Sequence, residues 1–315
     1  MMSTATILVA TWDNGLFSVS GKAVRQELAG RSVRSLAADG DGSVLAIVDG
    51  HTLSRRSSDG EWSILAKSDR ALSCCVRIGN HVFVGTDDAN ILRIGLDGVQ
   101  QRLSGFDDVA GRDTWYAGTA IIDGKVMGPP LGIRSMSATC DGAVLLANVH
   151  VGGIPRSTDL GVSWHPTIDV DSDAHQVCAH PTRPYIVIAA AAAGLCISRD
   201  AGATWRIEQR GLHANHCSAV AFGRNDIFVS ASTDPFAKQG AVYRRPIDGS
   251  GPLQPLGGGM PQWTDGRADT GCIATRDSTI AIIDGSGRLY VSQDGGAAWS
   301  CRSDRLSTPS ALYVC

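Results

Sequence analysis

Ser157-Thr158-Asp159-Leu160-Gly161-Val162-Ser163-Trp164 returns twice with little change. The copies are Ser198-Arg199-Asp200-Ala201-Gly202-Ala203-Thr204-Trp205 and Ser292-Gln293-Asp294-Gly295-Gly296-Ala297-Ala298-Trp299. The shared pattern is Ser-x-Asp-x-Gly-x-(Ser/Thr/Ala)-Trp, and Ser58-Asp59-Gly60-Glu61-Trp62 is a shortened copy. Short strand patterns precede the full copies: Gly153-Ile154-Pro155-Arg156, Gly194-Leu195-Cys196-Ile197 and Arg288-Leu289-Tyr290-Val291. Asp and Gly at this spacing build a tight hairpin. Asp bonds local amides, and Gly takes a positive φ. The Trp packs back under the turn as an apolar anchor.

This pattern resembles the Asp-box of the BNR repeat family. The resemblance implies a β-propeller whose blades carry the motif as a structural hairpin, so the motif residues are not site candidates. Similar repeats occur in sialidases, photosystem assembly factors and sortilin-type receptors.

The remainder of the repeat aligns around the hairpins. Innermost strands are expected to open at Val33-Arg34-Ser35-Leu36, Leu72-Ser73-Cys74-Cys75, Ile133-Arg134-Ser135-Met136, Ala174-His175-Gln176-Val177, His216-Cys217-Ser218-Ala219 and Asp269-Thr270-Gly271-Cys272. Steps between positions 34, 73, 134, 175, 217 and 270 are 39, 61, 41, 42 and 53 residues. A four-stranded blade repeats every ~40–50 residues, so the 61 and 53 steps carry insertions. The terminal strand Ser310-Ala311-Leu312-Tyr313-Val314-Cys315 lacks partners downstream, and the segments from Ile7, Gly15 and Val24 lack an innermost strand. Joining the two ends closes a seventh blade and leaves no open sheet edge. The expectation is one all-β domain over 1–315, a seven-bladed propeller of four-stranded antiparallel blades.

Composition agrees. Gly is 37 of 315 residues, charged residues are 19% and hydrophobic residues 43%. A net charge of −3 argues against nucleic acid, which needs a concentrated basic face. No apolar run approaches the ~18 residues of a membrane span. The first residues lack a basic region and a long apolar run, so no signal peptide is expected. Nine cysteines without paired spacing fit free thiols in the cytoplasm.

Propeller topology sorts the remaining residues. Starts of innermost strands and ends of second strands share one face. That face collects Arg34, Arg134, His175, His216 and Asp269, together with Trp12, Asp87, His150 and Asp234. Insertions near 106–131, 233–240 and 253–268 enter it too, carrying Trp115, Tyr116 and Trp263. Long loops gathered on one face usually carry function.

His150, His175 and His216 come from three consecutive blades. Three imidazoles with an open position suit a divalent transition metal; the alternative is hydrogen bonding to neighbouring strands. His51 and His213 are looser candidates, while His81, His165 and His180 read as structural. Arg34 and Arg134 share a Val/Ile-Arg-Ser register and could clamp an anion or pair with an acid such as Asp87 or Asp269. Cys217 beside His216 reads as a buried thiol rather than a nucleophile.

The expected function is therefore an enzyme of hydrolase or lyase type acting on a small polar or anionic substrate. His175, His150, His216 and Asp269 would be catalytic, the three histidines also metal ligands. Arg34, Arg134, Trp12, Trp115, Tyr116 and Trp263 would bind substrate. The sialidase chemistry that the resemblance admits needs an arginine cluster and a Tyr–Glu pair, and neither is evident here. The alternative is a non-catalytic scaffold that binds a protein or peptide, since one fold serves both.

Overall fold

The computed structural model describes residues 5–118, 120–122, 125–127 and 131–315. Within the expected 106–131 insertion, residues 119, 123–124 and 128–130 lie outside the described residues. The fold is a seven-bladed β-propeller, built from antiparallel sheets with three short 3₁₀ segments among the described residues. Among the described residues, no helix is long and apolar enough to cross a membrane. The chain forms two compact units, Met1–Leu36 with Glu208–Cys315, and Ala37–Ile207.

In the Ala37–Ile207 unit, successive sheets share one logic. Strand His81–Thr86 sends Val82 and Val84 to one side, where they meet Leu45, Ile47 and Leu53. Phe83 points the other way, onto Ile133, Leu145 and Ala147. In the next sheet, Leu145, Ala147 and Val149 share that core, while Leu146 packs with Val177, Val187 and Ala189. Period-2 alternation thus feeds two cores from one strand. A strand buried on both faces reads as a continuous apolar run, as Val187–Ala191 does. The sheet opened by Ile133–Ala138 has three assigned strands, and an isolated Arg156–His165 bridge continues its outer edge.

In the other unit, the chain ends meet. Pro309–Val314 is the innermost strand of a sheet completed by Thr6–Thr11, Leu16–Ser20 and Ala23–Glu27. Ile7 pairs with Val314 and Val9 with Leu312. The core of this unit joins Ile7, Val9, Phe228, Ile280, Ile282 and Leu312.

The three motif hairpins repeat one hydrogen-bond pattern. Ser157 Oγ donates to Asp159 Oδ1 at 2.8 Å and accepts the Gly161 N–H at 2.8 Å. Asp159 Oδ1 accepts the Ser163 N–H at 2.9 Å, and Trp164 Nε1 donates to the Gly161 carbonyl at 3.0 Å. Ser198/Asp200/Gly202 and Ser292/Asp294/Gly296 repeat the Ser–Asp–Gly distances of 2.8 Å.

Candidate functional site

Within the Ala37–Ile207 unit, the innermost strands begin with bulges. Pairing steps from Ile133↔Val149 to Ser135↔Asn148, and from Ala174↔Ala191 to Gln176↔Ala190. The residues left out of register are Arg134 and His175. A bulge re-aims the side chain of the extra residue, which is why bulges recur beside functional sites. His150 follows the second strand Leu145–Val149, and its N–H donates to the Gly132 carbonyl at 3.0 Å. Gly132 is required there: a Cβ would lie 2.9 Å from Asp87 Cα.

A further acid joins them. Asp173 closes the 3₁₀ turn Val170–Ser172 in left-handed backbone, with φ 48°. Its carbonyl accepts the Ala192 N–H at 2.9 Å. Asp173 Oδ2 lies 3.4 Å from His175 Nε2, and Oδ1 lies 3.8 Å from His150 Nε2. The imidazole centroids are 6.3 Å apart. Both rings are buried, at 5% and 2% exposure for His150 and His175.

Burial pushes the Asp173 carboxyl upward. The hydrogen bond from His175 and the positive fields of His175, His150 and Arg134 outweigh it, so the group sits below the usual carboxylate range. Oδ1 is buried and has no hydrogen-bond partner among the described residues. The Gly118 N–H donates to His150 Nδ1 at 3.3 Å, and His150 Nε2 faces the carboxylate. Gly118 packs against this ring so closely that a Cβ would meet its Cε1 at 2.2 Å.

One ligand atom from each of His150, Asp173 and His175 lies within 4.8 Å of the others. Bonds of about 2.1 Å in a tetrahedral site set ligand atoms about 3.4 Å apart, so closing this set needs small shifts. Two imidazoles and a carboxylate are borderline donors suited to first-row divalent ions.

Several expected residues stand elsewhere. His216 is not a member of this group; it opens strand His216–Phe222 in the other unit. Trp115 is 8% exposed and belongs to a core with Phe106 and Trp164, so it is not a lining residue. The Arg112 guanidinium sits 4.9 Å over its ring. Its neighbour Tyr116 is exposed, its N–H donating to the Val151 carbonyl at 3.3 Å. Asp269 precedes its strand rather than opening it, since the strand begins at Ile273. Its Oδ2 pairs with Arg267 at 2.9 Å.

In the terminal unit, the Arg34 guanidinium lies 5.7 Å over the half-exposed Trp12 ring. Trp263 stands edge-on to His213 at 4.8 Å. Asp234 accepts the Phe236 N–H at 2.8 Å. That bond comes first and Thr233 next, with smaller fields from His216 and Arg267, in holding its carboxyl below the usual range.

Asp173 was the residue hardest to find from sequence. It stands two residues before His175, the spacing that puts side chains on one side of a strand. Here the pair converges through a left-handed residue and a bulge instead, and neither leaves a composition signal.

No family model and no curated protein matches the chain. Solved structures do match in fold. Apo AztD from Citrobacter koseri superposes at a TM-score of 0.64 with 12% identity, covering 100% of this chain and 98% of that one. The GH74 enzyme of Niastella koreensis gives 0.61 and 12% identity over 93% of this chain, which spans 46% of that enzyme. The computationally designed Ika8 protein gives 0.56 and 14% identity, covering 89% of this chain and 80% of its own. At these identities the likeness is one of fold.

Proposed function

We propose that the chain is a metal-dependent small-molecule enzyme of hydrolase or lyase type, a single BNR/Asp-box propeller over 1–315. His150, Asp173 and His175 form its ligand set. The observation that carries this reading is the carboxylate of Asp173. Its pKa is held below the usual range, one buried oxygen has no hydrogen-bond partner among the described residues, and two buried imidazoles converge on it. Such a carboxylate calls for a cation. Bound there, a divalent transition ion would supply that charge, polarise a substrate oxygen and acidify a water.

The chain's own residues do the rest. Nε2 of His150 and of His175, the ring nitrogens that face Asp173, would be the imidazole ligand atoms. Arg134, set out of register beside His175, holds an anionic group of the substrate. Nine free thiols suit a cytoplasmic setting.

Calorimetric titration with Zn²⁺ or Mn²⁺ tests the ligand set. One equivalent is expected to bind, and Asp173→Asn and His175→Ala are each expected to remove it. His175→Ala should also abolish turnover in a screen of ester, phosphoester and lyase substrates. His175 is buried, so the variant is expected to lose roughly 1–3 kcal/mol of stability and is checked for folding by circular dichroism before turnover is scored. Turnover retained in folded His175→Ala would refute the reading.

A second reading, a protein-binding scaffold, is favoured by exposed Ile64, Leu96 and Val99. The turn at Gly98 approaches the Leu65 carbonyl, and Gln100 donates to the Lys67 carbonyl at 2.6 Å. Partner capture lost on Ile64→Lys and retained in Asp173→Asn would decide for it.

A further inference from the structure

The two insertions of the terminal unit, 233–240 and 253–268, together with His213 and Arg288, line an open cleft of about 900 Å³. That is near the upper end of the ~300–1,000 Å³ usual for ligand sites. Trp263 and Phe236 line it and remain 41% and 54% exposed. Asp234, Asp265, Lys238 and Arg288 line it as well.

The cavity is built before any ligand arrives. Gln239 pairs with Asp265 and Gly240 with Thr264, which clips one insertion to the other. The buried Thr264 hydroxyl sits 3.0 Å from the Gly240 carbonyl and 2.8 Å from that of Gly266. The Asp265 N–H donates to Asp284 Oδ2 at 3.2 Å. Preorganisation of this kind lowers the ordering cost of binding.

One wall has a fixed imidazole. The Tyr243 hydroxyl accepts the His213 N–H at 3.2 Å and lies 2.7 Å from His213 Nδ1. These two contacts hold the His213 ring in place, with Nδ1 turned to Tyr243 and Nε2 left for a ligand. Burial lowers the pKa of this ring, in keeping with a neutral imidazole.

We infer that this cavity binds a neutral saccharide. Two carboxylates and two cationic groups leave its lining without net charge, so a phosphate or polyamine meets repulsion along with attraction. A purely apolar ligand would strip water from those four groups without replacing its hydrogen bonds. A sugar ring answers both demands. Its C–H face lies on Trp263 or Phe236, and its hydroxyls bond Asp234, Asp265, Lys238 and His213 Nε2. This site shares no residue with His150, Asp173 and His175 and does not rest on the metal reading.

The full chain would be titrated with cellotriose, maltotriose and tri-N-acetylchitotriose, followed by tryptophan fluorescence and calorimetry, with trigalacturonic acid as the acidic control. Saturable binding of at least one neutral trisaccharide at millimolar concentration or below is expected. Trp263→Ala and Asp234→Asn should each weaken it about tenfold or more. His175→Ala should leave it unchanged. Circular dichroism establishes that each variant is folded, and Phe236→Ala replaces any that is not. No saturation by a neutral trisaccharide overturns the inference. So does tighter binding of the acidic trimer, or binding indifferent to both cavity substitutions.

Discussion

Ser157 does three jobs with one hydroxyl. It donates to Asp159, accepts the buried Gly161 N–H and takes a long 3.4 Å bond from the Asp159 N–H. Ser157→Ala strands that Gly161 donor. A buried unsatisfied group costs about 1–3 kcal/mol, and a chemical denaturation midpoint would read that loss. Asp159 adds a pH signature. Burial opposes its charge, but bonds from Ser163 and Ser157 hold its pKa at about 2. The folded value lies below the ordinary ~3.9, so the contribution is whole above about pH 4 and is lost as pH falls toward 2. The stability gap between wild type and Asp159→Asn should therefore narrow across that window. A gap constant from pH 5 to 2.5 would contradict the assignment. Motif residues like these were legible because their chemistry is local. The role of Asp173 was not, because it depends on a left-handed backbone and on side chains from another blade.

At the scale of elements, alternation governs. Phe83 is fully buried and serves the core it shares with Ile133, Leu145 and Ala147. Phe83→Ala should cost about 3–5 kcal/mol by calorimetry or urea unfolding. Exposed Val99→Ala should change stability by no more than ~0.5 kcal/mol. Strand positions at 72, 133, 174 and 216 were readable from apolar runs bounded by turns. The bulges at Ser73, Arg134 and His175 were not, because no residue type marks the break in register. Trp115 shows the same limit. Its place in an insertion suggested a cap, but the partners that bury it, Phe106 and Trp164, are 9 and 49 positions away.

At the scale of the whole molecule, the chain ends are structural. Val314 pairs with Ile7 and Leu312 with Val9, so one sheet exists only when both termini are present. Deleting 309–315 removes its innermost strand, and the variant is expected to unfold or aggregate; a native-like melting transition would contradict this. Repeat period, hairpin motif and the need to close sheet edges made blade count and closure readable from sequence. The gathering of site residues was less so. His150, His175 and Arg134 come together around an acid that was not foreseen, whereas His216 and Asp269 belong to the other unit.

The central claim is that His150, Asp173 and His175 hold a metal. Elemental analysis of purified wild-type chain beside Asp173→Asn tests it most directly. About one divalent transition ion per chain in the wild type, lost in the variant, is the predicted result. A wild-type chain that stays metal-free after equilibration with Zn²⁺ or Mn²⁺, or equal metal in both proteins, would contradict it.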